Sequence, residues 1–110
     1  MNWIPLTSET QLQEINDASA SRTIVIFKHS TRCSISSMAK SRLERAVAPE
    51  GADFYYLDLI AYRNISNAIE HKYGIPHESP QILMVRNGKC IYDDSHNGIR
   101  MDDITEHIQL

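Results

Sequence analysis

The sequence predicts an α/β fold with a mixed central sheet of four to five strands flanked by helices. Three observations lead there. Short β-type apolar runs alternate with segments of helical periodicity along the chain. The run Ile24-Val25-Ile26-Phe27 is continuously apolar, as a strand covered on both faces must be. Asn87-Gly88 stands between two β-type runs and asks for a type I′ hairpin turn, so the last two strands are antiparallel.

Ile4-Pro5-Leu6 reads as a short edge strand, which tolerates proline. Thr7 or Ser8 can cap a first helix whose face is Leu12, Ile15 and Ala18. Thr23 to Lys28 is the first central strand. Residues 34 to 48 read as the second helix, with Ile35, Met38, Ala39, Leu43, Ala46 and Val47 as its apolar stripe. Pro49-Glu50-Gly51 ends it. Asp53 to Leu59 is a second central strand, and residues 64 to 73 form a third helix ended by Gly74. Gln81 to Arg86 pairs with Lys89 to Tyr92 across the hairpin. Met101 to Gln109 closes the chain as a helix, with Ile104 and Ile108 at i, i+4. Trp3, Tyr55, Tyr56 and Tyr62 are assigned to packing. The order (β)-α-β-α-β-α-β-β-α, with right-handed crossovers, is that of the thioredoxin fold.

At 110 residues the length predicts one domain, and 42% apolar content suits a globular core. The net charge of −3, with no long basic run, gives no sign of a nucleic-acid surface. No apolar stretch is long enough for a membrane span, and the first twelve residues do not read as a secretory signal. The expected location is the cytoplasm. Two cysteines exclude a four-cysteine zinc site and a disulfide framework. The histidines at 29, 71, 77, 96 and 107 have no ligand-like spacing with them, so no metal is expected.

Cys33 falls where the first central strand hands over to the second helix. Unpaired backbone N–H groups and the helix dipole there favour thiolate, the nucleophilic form. Ser34 and Ser36 can donate hydroxyl hydrogen bonds to it or cap the first turn, and Lys28, His29 and Arg32 add positive charge. These polar flanks separate Cys33 from an inert buried thiol. Dithiol enzymes resolve a mixed disulfide with the second thiol of Cys-x-x-Cys. Here that position is Ser36, and a serine cannot do so. Hairpin arithmetic sets Cys90 opposite Val85, five residues and roughly 17 Å from Pro80. A disulfide needs Cα atoms within about 7 Å, so Cys90 is not a resolving partner for Cys33.

Pro80 opens a strand after His77-Glu78-Ser79, and beside such a cysteine it suggests a cis peptide in a tight turn. The Ser79 backbone is then free to pair with an extended substrate. Without a bulge, Ser95 lies opposite Pro80 with His96 beside it, where His96 can bind an anion or help proton transfer. His71 and His77 are expected on the surface.

Phe27-Lys28-His29-Ser30-Thr31-Arg32-Cys33-Ser34-Ile35-Ser36, with His77-Glu78-Ser79-Pro80-Gln81 and Ser95-His96, resembles the YtxJ-type monothiol bacilliredoxins over nearly the whole chain. The resemblance implies a single redox cysteine, Cys33, beside a cis-proline, Pro80. It implies removal of bacillithiol from S-bacillithiolated client proteins. Bacillithiol is then the low-molecular-weight thiol co-substrate, with an NADPH-linked reductase downstream and no tightly bound cofactor. Two departures stand out. The group often has proline directly after the cysteine, where this chain has Ser34. Phe27 also occupies the position of thioredoxin's buried acid, which removes that proton relay.

Two other readings use the same residues. A thioredoxin-like module could hold an extended peptide through Ser79 and the Cys33 loop without turnover. An iron–sulfur carrier of the monothiol-glutaredoxin kind ranks lower, because Ser34 and Ile35 replace the Gly and Phe of Cys-Gly-Phe-Ser.

Overall fold

Apolar side chains on both faces of one strand force it into the middle of a sheet, and this chain has such a strand. The computed structural model describes residues 1–108. Its elements are β1 (Trp3–Pro5), α1 (Thr10–Ala18), β2 (Thr23–His29), α2 (Ser34–Arg45), β3 (Ala52–Asp58), α3 (Arg63–Tyr73), β4 (Gln81–Arg86), β5 (Lys89–Ser95), a 3-10 turn (His96–Gly98) and α4 (Met101–Ile108). All seven residues of β2 are buried. The sheet order is β1-β3-β2-β4-β5, with β1, β3 and β2 mutually parallel, β4 antiparallel to β2 and β5 antiparallel to β4.

One core lies on each face of the sheet. Ile24 and Ile26 of β2 pack with Leu12 and Ile15 of α1 and Ile65 and Ile69 of α3. Val25 and Phe27, on the opposite face, pack with Ala39 and Leu43 of α2 and Ile104 of α4. Strand alternation carries both rows to the active end: Lys28 continues the first and His29 the second.

Several expectations shift. The edge strand is Trp3–Pro5, not residues 4 to 6, and β3 begins at Ala52. Thr7 and Ser8 do not cap α1 with their side chains; the Gln11 carboxamide oxygen accepts both of their backbone N–H groups, at 2.7 and 3.0 Å. Helix α2 stops at Arg45 rather than residue 48, because Ala46 is already extended. Its buried stripe is Ser36, Ala39 and Leu43, whereas Ile35 (48% exposed), Met38 (61%) and Val47 face water. The closing helix was expected to reach Gln109, which lies outside the described residues.

Strand β5 runs three residues further than expected, to Ser95. Cys90 faces Val85, but Tyr92 faces Met84, so a bulge takes up Ile91. The register beyond the bulge moves by one, and Ser95 faces Gln81 instead of Pro80. His96 still reaches Pro80, donating its backbone N–H to the Pro80 carbonyl at 3.1 Å. Arg42 clamps this return onto α2 by donating to the carbonyls of His96 and Ile99.

Gly98 has a steric reason. A Cβ there would collide with the Asp94 carboxylate, which accepts from the Ser95 backbone and the Tyr92 hydroxyl. Gly98→Ala should therefore lower the urea midpoint, with a loss of about 1–3 kcal/mol; an unchanged midpoint would refute this packing.

Candidate functional site

Cys33 is itself the N-cap residue of α2, with extended φ −114° and ψ 120°. Its side chain stands where a capping Ser or Asp would accept from the first-turn N–H groups. No side-chain cap hydrogen bond is made there. A thiolate at this position meets orphan donors and the positive end of the helix dipole. Cys33 is half-buried and not in a disulfide. Arg32 and Ser34 flank it on exposed positions.

Ser36 occupies the second position of the motif and is fully buried. It was expected to donate to the sulfur or cap the turn, but its hydroxyl is used elsewhere. Ser36 Oγ accepts the Ser30 backbone N–H at 3.0 Å and lies 2.6 Å from His29 Nδ1. Burial and the neighbouring Lys40 charge hold the His29 imidazole below its usual range. The neutral His29 ring and the Ser36 hydroxyl thus share one short hydrogen bond. Its ring stacks on Phe27, with centroids 5.8 Å apart, and tilts against Tyr56 at 5.5 Å. His29 thus anchors the first turn of α2 rather than supplying a positive charge. Ser36→Ala should cost about 1–3 kcal/mol by orphaning the buried His29 ring nitrogen and the part-buried Ser30 N–H, read as a lowered urea midpoint; wild-type stability would contradict the network.

Lys28 departs further from expectation. It continues the strand row facing α1 and α3, opposite the face that α2 covers. The side chain is 0% exposed, and Nζ lies 3.3 Å from His77 Nδ1. No carboxylate lies within 4.0 Å of Nζ among the described residues. Burial pulls its pKa from 10.5 to about 8, partly offset by Glu70. His77 was expected on the surface. Its residue is exposed, but its Nδ1 turns inward to Lys28 and to Ser66 Oγ, also at 3.3 Å. Burial and the Lys28 charge keep this imidazole below its usual range.

The loop before β4 is fastened by these groups. The His77 backbone N–H donates to Glu70 Oε2 at 2.6 Å. Gln81 accepts from the Glu78 N–H and donates to the Pro76 carbonyl. The loop ends in a cis Ser79–Pro80 peptide. Lys28 pairs with Gln81 across β2 and β4, so this peptide stands at the end of β2 from which the chain runs on to Cys33. Ser79 Oγ is buried without a hydrogen-bond partner among the described residues. His96 returns beside Pro80, and its Nε2 lies 3.7 Å from a Glu78 carboxylate oxygen. Cys90 lies at the hairpin end, where burial pushes its thiol up.

Sequence reasoning missed His77, Ser66, Glu70 and Gln81 as supports of this loop. The available signal was Lys28, a lysine in an apolar strand, which demands a buried polar neighbour.

The fold recurs among solved structures. Thioredoxin from Trypanosoma brucei brucei aligns with TM-score 0.74 and 14% identity, over 98% of this chain and 88% of that one. Fasciola hepatica thioredoxin gives 0.72 and 16%, over 96% and 95%. A thioredoxin-fold protein described as a candidate oxidoreductase gives 0.81 and 27%, over 94% and 90%. The fold makes this a protein of the thioredoxin class. Residues 4–104 match the family described as monothiol bacilliredoxin BrxC, so the chain belongs to that family and is a thiol oxidoreductase.

The buried lysine carries a stability prediction. Its folded pKa lies below the unfolded value, so the folded state binds fewer protons between about pH 8 and 10.5. Stability should rise with pH across that window, and the buried charge costs about 3 kcal/mol at neutral pH. Lys28→Met should raise the urea midpoint at pH 7 and flatten the climb from pH 8 to 10.5. A destabilised Met variant at pH 7 would sink this assignment.

Proposed function

We propose that the protein removes bacillithiol from S-bacillithiolated client proteins, with Cys33 as the nucleophile. The observation carrying this reading is a thiol at a helix N-cap with no internal resolving partner. Ser36 is tied into the fold, and Cys90 sits at the other end of the sheet. Membership of the monothiol bacilliredoxin family supports bacillithiol as the small thiol.

The reaction is two thiolate–disulfide exchanges. Cys33 thiolate attacks the bacillithiol sulfur of the mixed disulfide. The client sulfur leaves as thiolate and takes a proton from water, while bacillithiol stays on Cys33. A second bacillithiol thiolate then attacks that adduct, releasing oxidised bacillithiol and regenerating Cys33 thiolate. An NADPH-linked reductase would return the oxidised thiol to its reduced form. No resident cofactor takes part, and the cycle suits the reducing cytoplasm. Among the described residues no helix is long and apolar enough to cross a membrane.

Several groups support substrate binding in this reading. Ser79 would pair through its backbone with the extended client. Arg32, Ser34, Ser95 and His96 would contact the small thiol, with His96 suited to an anionic group. Lys28, His29 and Ser36 act by holding the frame.

Intact-mass analysis after incubation with oxidised bacillithiol tests the proposal. The wild type should gain one bacillithiol on Cys33, faster than it gains glutathione from oxidised glutathione, and Cys33→Ser should gain none. Equal rates with both thiols, or an adduct on Cys90, would overturn it.

A further inference from the structure

Lys28 is an expensive group in this fold. An ammonium wholly shielded from water normally requires a carboxylate or several hydrogen bonds. The polar contact it makes is the one with His77. His77 in turn has one ring edge inside, against Lys28 and Ser66, while the residue itself is exposed. The two side chains join β2 to the loop that ends in Ser79 and Pro80. The other ties of that loop run to Ser66, Glu70, Gln81 and His96.

We propose that Lys28 and His77 form a proton-sensitive latch that positions the Ser79–Pro80 segment for substrate and releases it when His77 is protonated. With His77 neutral, Nδ1 accepts an N–H of Lys28 and the loop is held against β2. A proton on Nδ1 removes the acceptor and sets two like charges 3.3 Å apart. In a shielded site that repulsion far exceeds one hydrogen bond. The loop must then move outward, carrying His77 to water.

The charged groups around the pair are few. Glu70 of α3 favours protonation of both partners, and Glu78 on the loop favours that of His77; Arg63 of α3 opposes that of His77. Strand β4 contributes the neutral Gln81, and β3 presents the apolar Leu57 beside Lys28. Lys28 and His77 are positioning residues that act through the loop and not on the reacting sulfur.

The inference rests on the proposed exchange for its kinetic readout, so one arm needs no activity. Imidazole nitrogen shifts in ¹⁵N-labelled protein report the His77 tautomer and titration directly. His77 should be the Nε2–H tautomer at pH 7, and in Lys28→Met its titration should move to higher pH. In the second arm, KM and kcat are measured from pH 5.5 to 8.5 with a peptide carrying bacillithiol in a mixed disulfide. Wild-type KM should rise as His77 protonates.

His77→Asn places an amide oxygen where Nδ1 stood; it should keep KM near the wild-type value at pH 8 and abolish the rise in acid. Lys28→Met should raise KM about fivefold at neutral pH, the loss expected from one hydrogen bond, although its fold is more stable. A residue with a merely structural role would lose stability and activity together. An unchanged His77 titration in Lys28→Met, or acid KM profiles in both variants that match wild type, would overturn the latch. If no turnover occurs with any variant, the nitrogen shifts alone decide it.

Discussion

The active end of this molecule depends on how its central strand finishes. Phe27 is the last apolar residue of β2, and two buried polar residues follow it on opposite faces of the sheet. Neither can be left unpaired in a shielded environment. His29 therefore meets Ser36 of α2, and Lys28 meets His77 of the loop before β4. One strand end thus fixes both halves of the site: the helix that begins at Cys33 and the turn that ends at Pro80.

The two ties differ energetically. The His29–Ser36–Ser30 set is neutral, short and satisfied, so it rigidifies the first helical turn at little electrostatic cost. The Lys28–His77 contact holds a charge in a place that disfavours it. Ser36 also explains the monothiol character in structural terms. Its hydroxyl satisfies a ring nitrogen and a backbone N–H, so the second motif position here is part of the scaffold.

Much of the scaffold was legible because it rests on local rules. Strand β4 falls on its expected residues, and Asn87-Gly88 sets Cys90 opposite Val85, since turn chemistry determines register near the turn. The motif around Cys33 and the proline at 80 were legible for the same reason. Beyond Val85 the bulge at Ile91 shifts the pairing, and no residue there announces it. The α2 stripe was misread because periodicity reports which residues share a face, not whether protein covers it. Ile35 and Met38 lie on α2 just beyond Cys33 and stay exposed, while polar Ser36 takes the buried place.

By itself the sequence determined the order of elements, the two-sided burial of β2, the single cysteine at a strand–helix junction and the absence of a nearby second thiol. These follow from periodicity, turn propensity and residue identity, all of which act over a few neighbours. Only the tertiary structure decided what the polar residues do. Lys28 and His29 are adjacent in sequence and identical in their apparent offer of positive charge. The pleat sends them to opposite faces, where one finds an imidazole 49 positions away and the other a hydroxyl seven away. Their roles are set by which partner the packed sheet brings within hydrogen-bond reach, and that is a property of the assembled fold.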